Sequence, residues 1–520
     1  MNVYIYFNQR DQTYVCHELA KIWARAERFN RFGGCVVAKD GIHYEFLKTQ
    51  TEVDYEVLDV VDQWEATALG LEVSQADVAL WEDRLGCRLW DLVVADRQIG
   101  HSFVRGANFI ATELTRHTSY KNICNLVGHT LNEFLVRFKS FRPDLIVMSN
   151  NPASLNSLAM VKVAEYLGIP YAIPHGSYVR DRMFIAMNNP FMESIEVTNS
   201  FHKLAEKDQY DLDQDHQEFF ERLGSSSSKK PPWVDLLLSE KEKSRSMGKA
   251  RFWMAVLREF LYASMENLRR KRQKNVADSL RLKLPFSNFL FWFRQQLSYR
   301  RSSEFESIDP SAGERYIVVP LGVNPEASTM VFAPDFVDPI TLVEQIAINT
   351  PLSFKVYVTE HPAMLGRRPS GFYQRLREIP NVYIRGPIAS NEKLVAGAVS
   401  MVLVSGTSGL EALAKGVHTV VLGKCFYSAS GIAHSLPSYK DLHEILINEF
   451  QKISDDSKRS KRTESVKRLM YALQENSFPA RSNLFWGAVR SPEDLSPEIR
   501  GEISKLAKAI EKSWLDLVTR

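Results

Sequence analysis

Short apolar runs, separated by stretches of helical period, recur along most of the chain, and the clearest of them lies late in it. Val402, Leu403 and Val404 are consecutive apolar residues. That is the continuous pattern of a parallel strand buried on both faces, not the alternation of a half-exposed one. Residues 419–422 repeat it after a turn at Gly416. Between the two runs lie Ser405, Gly406, Thr407, Ser408 and Gly409 and a short helical stretch, so that 400–427 reads strand, small-residue loop, helix, glycine, strand. Upstream, 316–320, 354–358 and 382–385 read as further strands, separated by helical patterns such as 340–348 and 391–397. Alternation at that spacing predicts a mostly parallel, doubly wound sheet.

A second array opens the chain. Residues 2–7 form an apolar strand, 15–29 a helix with Leu19, Ile22, Trp23 and Ala26 on one face, and 33–38 another strand. Farther on, 145–148 reads as a strand, Ser149-Asn150-Asn151-Pro152 as its loop, 153–167 as a helix closed by Gly168, and 171–174 as the next strand. That strand runs into His175-Gly176-Ser177-Tyr178-Val179-Arg180-Asp181-Arg182. Ligands of open α/β sheets bind beyond strand C-termini. Asn151, His175, Arg180 and Arg182 are therefore candidates for contacting an anionic or sugar group; pairing of both arginines with surface carboxylates is the plain alternative.

Between the arrays the composition shifts. Gly224, Ser225 to Ser228 and Lys229-Lys230-Pro231-Pro232 read as a linker. Residues 241–301 then hold sixteen Lys and Arg against four Asp and Glu, interleaved with Phe252, Trp253, Phe260, Phe286, Phe289, Phe291, Trp292 and Phe293. A basic, aromatic, helix-forming segment suggests contact with an anionic membrane surface. Packing of the aromatics on the α/β domains is the alternative, and nucleic acid is disfavoured because no nucleic-acid module accompanies the charge. The expected plan is an α/β domain over 1–200, a helical insert over 201–312, a second α/β domain over 313–455, and a helical tail over 456–520 that braces the two.

The remaining bulk properties mostly exclude. With 520 residues, 45% apolar and 24% charged, the chain has the balance of a globular protein of more than one domain. The formal net charge of +3 is too small to point to nucleic acid. Five scattered cysteines without a CxxC pair argue against a zinc site and for reduced thiols in a cytosolic protein. The first apolar run is too short for a signal peptide, and no run reaches bilayer length, so a soluble or peripheral protein is expected. No acidic pair of metal-binding type stands out, and no obligatory divalent cation is expected.

Chemistry concentrates in the second array. Glycines and hydroxyls at 405–409, followed by a helix start, can hold a phosphate through N–H and O–H donors without a lysine. Ser408 and Glu411 also have the spacing of a capping box, which leaves that stretch with two readings. The strand at 354–358 ends in Thr359-Glu360-His361-Pro362, a second polar strand end beside the first. Two doubly wound domains with phosphate features in the second make the GT-B architecture of nucleotide-sugar glycosyltransferases the expected fold.

The motifs YIVVPLGVNPEAST, VYVTEHPAMLGRRPSGFYQRL, PNVYIRGP and SGTSGLEALAKGVHTVVLGKCFY, in that order, resemble the bacterial capsule polysaccharide biosynthesis and export-linked family, which includes Kdo transferases. FNQR, ADRQ and the SNN loop of the first array are similar in kind. Thr359 departs from the pattern, standing where a lysine is expected. The resemblance implies a transferase that uses a nucleotide sugar, CMP-activated by preference, and a polysaccharide or glycolipid acceptor. It implies that His361 contacts the nucleotide phosphate and that Glu360 is oriented toward the nucleotide. Ser405, Gly406, Thr407 and Ser408 would form the phosphate loop, and Glu411 would reach the ribose. For a base that activates the acceptor, His175 and Glu326 are the candidates. A CDP-glycerol or CDP-polyol phosphotransferase and a non-catalytic scaffold of the same fold are the competing readings.

Overall fold

In the computed structural model the described residues are all except 9–10, 38–41, 74, 205–209, 226–231, 273–279, 301–308, 387–390, 437, 452–454 and 520. Most of the expected linker, Ser226 to Pro231, and Gln9 and Arg10 of the FNQR motif lie outside the described residues.

Among the described residues there are thirteen strands, in chain order β1 (Asn2–Asn8), β2 (Arg31–Val36), β3 (Tyr55–Val60), β4 (Leu145–Met148), β5 (Tyr171–Gly176), β6 (Arg182–Met187), β7 (Tyr316–Pro320), β8 (Lys355–Thr359), β9 (Val382–Arg385), β10 (Ser400–Leu403), β11 (His418–Val421), β12 (His434–Ser435) and β13 (Phe478–Pro479). They form two sheets, ordered β13-β6-β5-β4-β1-β2-β3 and β12-β11-β10-β7-β8-β9. Every pairing of the second sheet is parallel. In the first, β6 runs antiparallel to β5 and β13 antiparallel to β6. This is the two-domain, doubly wound α/β arrangement of the GT-B type.

The continuous apolar runs explain the burial. Ile317 and Val319 pack on one face of the second sheet, Tyr316 and Val318 on the other. The first sheet divides in the same way, Val3, Ile5 and Phe7 against Tyr4 and Tyr6. The chain winds outward from β1 to β3 and then restarts on the other side with β4; it winds from β7 to β9 and restarts with β10. Each sheet therefore has a switch point, β1/β4 in one and β7/β10 in the other, where two loops diverge and leave a crevice.

The tail is shared. Its helix Asp456–Asn476 buries Val466, Leu469, Met470 and Leu473 in the core of the second domain. Pro497–Val518 returns to the first, burying Ile499, Ile503, Leu506, Ile510 and Trp514. At about 1.5–3 kcal/mol for each such side chain, either helix is a firm anchor. Direct contacts add to this: Arg88 pairs with Asp335 at 2.7 Å and Arg105 with Asp338 at 2.9 Å. Gly106 lies where an added Cβ would stand 2.1 Å from Pro339, a close approach that only glycine permits.

Candidate functional site

At the second switch point, the loop after β7 carries Glu326 and the loop after β10 carries Ser405 to Ser408. The Ser405 hydroxyl donates to the Ser328 carbonyl at 2.7 Å, tying the two loops together. Gly406 has φ +114°, in the region that favours glycine, and its carbonyl accepts from the Tyr427 hydroxyl at 2.8 Å. Gly409 is required by the same tyrosine, because a Cβ there would lie 2.2 Å from its oxygen. The small residues of this loop thus serve the close packing of backbone on Tyr427, as well as any ligand.

The expected capping box does not form. Thr407, in helical conformation, is the N-cap of Ser408–Ala414 and makes no side-chain cap bond. The Glu411 amide donates instead to the Thr407 carbonyl at 3.1 Å, and Glu411 lies exposed on the helix. Thr407 and Ser408 are half-buried at the loop.

Beside this loop, β8 ends at Thr359, and the two residues that follow have opposite fates. Glu360 is fully buried. Both its oxygens accept from Arg368, at 2.8 Å each; the Tyr373 hydroxyl donates to one of them at 2.8 Å and the His361 amide to the other at 2.7 Å. The expectation that Glu360 is oriented toward the nucleotide is corrected here: its charge is consumed by Arg368. That arginine in turn donates to the carbonyls of Gly106 at 3.0 Å and Gly322 at 3.2 Å, locking the site to the first domain. Arg368, Tyr373, Ser328 and Tyr427 were not singled out from the sequence, although all lie within the quoted motifs.

His361 is half-buried, and its Nδ1 accepts from the Ala363 amide at 3.1 Å. The single proton of the neutral ring is therefore on Nε2. Burial is the main influence on the imidazole and lowers its pKa below the ordinary value; the Glu326 and Glu360 carboxylates oppose this, and Arg368 adds to it. A neutral imidazole with Nε2–H can donate to an anionic oxygen at neutral pH without first acquiring a proton. Glu326 is exposed and accepts from the Ser328 hydroxyl at 3.0 Å. Tyr178 reaches over from the first domain, its ring 4.8 Å from that of Phe426. Glu326 also acts on the Tyr178 hydroxyl, which burial and then Cys425 raise. Glu326, His361, the 405–408 loop and Tyr178 are thus brought together at one crevice.

The remaining candidates lie along β4 to β6 of the first sheet and do not converge in this way. His175 lies within β5, which runs two residues farther than expected; burial holds its pKa down to about 3, and its Nε2 has no hydrogen-bond partner. It is a neutral, weakly basic imidazole, ill suited to removing a proton at neutral pH. Asn151 has a buried Oδ1 without a partner, just beyond the neighbouring strand β4. Arg180 is 90% exposed beside Asp181. Arg182 opens β6 and pairs with Asp213 at 3.4 Å, so its charge is used between elements of the fold. Among the described residues no group of three or more His, Cys, Asp or Glu could hold a metal ion.

This fold defines a GT-B-like protein whose candidate site lies at the β7/β10 edge of its second domain. Residues 270–453, a little over a third of the chain and spanning the second-domain part of that site, match the family described as capsule polysaccharide biosynthesis protein. The likeness read from the motifs is therefore shown over the second domain. No curated protein matches the chain. Similar solved structures include the beta Kdo 2,7 transferase KpsC of Thermosulfurimonas dismutans (13% identity, 59% of this chain and 74% of that one, TM-score 0.27). A glycosyltransferase of Rickettsia africae is similar over 97% and 98% of the two chains at 9% identity, TM-score 0.27. The UDP-GlcNAc 2-epimerase of Neisseria meningitidis is similar over 92% and 100% at 11% identity, TM-score 0.24. Likenesses this low carry no argument about ligand or reaction.

Proposed function

We propose that the protein is a glycosyltransferase that moves a sugar from a nucleotide sugar, CMP-activated by preference, to a capsule or other surface polysaccharide or glycolipid. The observation that carries this reading is the meeting of His361, Glu326 and the 405–408 loop at the switch point of a domain that matches the capsule biosynthesis family. Transfer from a nucleotide sugar builds negative charge on the leaving phosphate. Fixed donors that need no reorganisation stabilise such charge best. His361 Nε2–H and the backbone and hydroxyls of Thr407 and Ser408 are suited to this role. In this reading the acceptor enters from the first domain, on the side of Tyr178, whose ring lies 4.8 Å from Phe426. Glu326, exposed and acidic, is the group in reach of an acceptor hydroxyl if the reaction uses a base.

Calorimetric titration with CMP, CDP, UDP and GDP tests the reading. CMP binding that His361→Ala weakens is the expected result. Preference for CDP would turn the assignment toward a polyol-phosphate transferase, preference for UDP or GDP would discard the CMP-sugar donor, and no binding would favour a scaffold.

A further inference from the structure

Ten of the large apolar side chains exposed among the described residues belong to two neighbouring helices of the insert, Lys249–Arg272 and Pro285–Arg300. On the first, Trp253, Met254, Leu257, Phe260, Leu261, Met265 and Leu268 fall within one stripe about 140° wide at helical spacing. Phe252 and Ala263, turned the other way, are buried. The stripe continues onto the second helix, with the Phe260 ring 5.9 Å from Phe286 and 5.6 Å from Phe289. Arg251, Arg258 and Arg269, all exposed, run along one border of it, Arg258 also pairing with Glu259 at 2.9 Å. The two acidic residues of the first helix, Glu259 and Glu266, lie on its other side, and the second helix has none.

A wide aromatic stripe that holds no carboxylate and is bordered by three arginines, one of them also paired with Glu259, fits one kind of partner. A second copy of the same face would set arginines against arginines. A bilayer surface with anionic headgroups offers phosphates to the border and an apolar layer to the rings. The pair of helices is also firmly footed. Residues 280–284 run beside 111–114, with the Leu114 amide donating to the Leu280 carbonyl and the Leu284 amide to the Ala111 carbonyl, each at 2.8 Å. Between these bonds Arg281 enters the first domain, 3.0 Å from Glu65 and 2.8 Å from Asp96, both buried.

We propose that these two helices form a docking face for anionic membrane, with Trp253, Leu257 and Phe260 entering the interfacial layer and Arg251, Arg258 and Arg269 on lipid phosphates. Because the foot is fixed in the first domain, docking holds the acceptor side of the crevice at the membrane.

Flotation of the full chain with phosphatidylcholine vesicles, with and without phosphatidylglycerol, tests this. The protein floats with the anionic vesicles only, and less so as salt is raised. Changing Arg251, Arg258 and Arg269 to Gln weakens binding roughly fivefold per arginine. Trp253→Ser with Phe260→Ser releases the protein as well, with its thermal melting and nucleotide titration unchanged. Failure of the unaltered protein to float at low salt, or equal flotation with neutral vesicles, overturns the proposal. So does a dimer that the Trp253/Phe260 variant dissociates while flotation is unaffected.

Discussion

At the end of β8 both carboxylate oxygens of Glu360 are held, by Arg368, Tyr373 and a backbone amide. At the end of β5 the buried Nε2 of His175 has no partner, and neither has the buried Oδ1 of Asn151 beyond β4. The two sheets share a strand order and put their switch points in corresponding places, yet Glu360 is satisfied within the fold while His175 Nε2 and Asn151 Oδ1 are not. On the proposed function this edge meets a nucleotide phosphate and gains from being rigid beforehand, and the Glu360–Arg368 pair supplies that rigidity beneath His361. Buried polar atoms without a partner are rare, and each asks for an explanation. On the proposed function, the hydroxyls of a sugar-rich acceptor would supply the missing partners on the first sheet.

The comparison breaks most visibly if Arg368 can be removed at little cost. Arg368→Ala leaves Glu360 buried and unpaired, and should lower the unfolding free energy by about 3–5 kcal/mol, read by urea denaturation. His175 should show itself in acid. Its pKa is held near 3 in the folded protein, so below about pH 6.5 the unfolded chain takes up a proton that the folded one refuses. Stability then falls by about 1.4 kcal/mol per pH unit from this group as pH drops from 6.5 toward 3, and a His175→Asn variant should lack that component.

His361→Ala should cost the nucleotide about ten- to a hundredfold in affinity, the worth of a hydrogen bond to a charged group, with little change in melting temperature. Gly409→Ala forces a methyl against the Tyr427 hydroxyl and should destabilise by about 1–3 kcal/mol, seen as an earlier thermal transition. The smallest effect belongs to Arg180→Ala, within about 0.5 kcal/mol, because the side chain is exposed beside Asp181.

Much of the second domain was legible because two-sided burial leaves an unbroken apolar run. The expected strands 316–320 and 382–385 coincide with β7 and β9, and the other three differ by one residue at either end. The first domain was harder. The antiparallel β6 begins at Arg182, within a stretch read as the polar end of the preceding strand; the turn at 177–181 that reverses the chain uses Tyr178 and Asp181 with positive φ, which their side chains do not announce. The site was legible as a place. Its division of labour was not, because adjacent residues such as Glu360 and His361 look equally available until their partners are known. Arg368, which decides the role of Glu360, comes eight positions later and across a turn. The capping box failed for a related reason: the helix begins at Ser408 itself, so its hydroxyl is not at the cap position.

The central claim is that the nucleotide is held at the β7/β10 edge and not beside the β5–β6 turn of the first sheet. Titrating the nucleotide that binds best into the unaltered protein, His361→Ala and Arg180→Ala tests it most directly. The account predicts an affinity lost by about ten- to a hundredfold in the first variant and unchanged in the second. An affinity that survives in His361→Ala and falls in Arg180→Ala would contradict it.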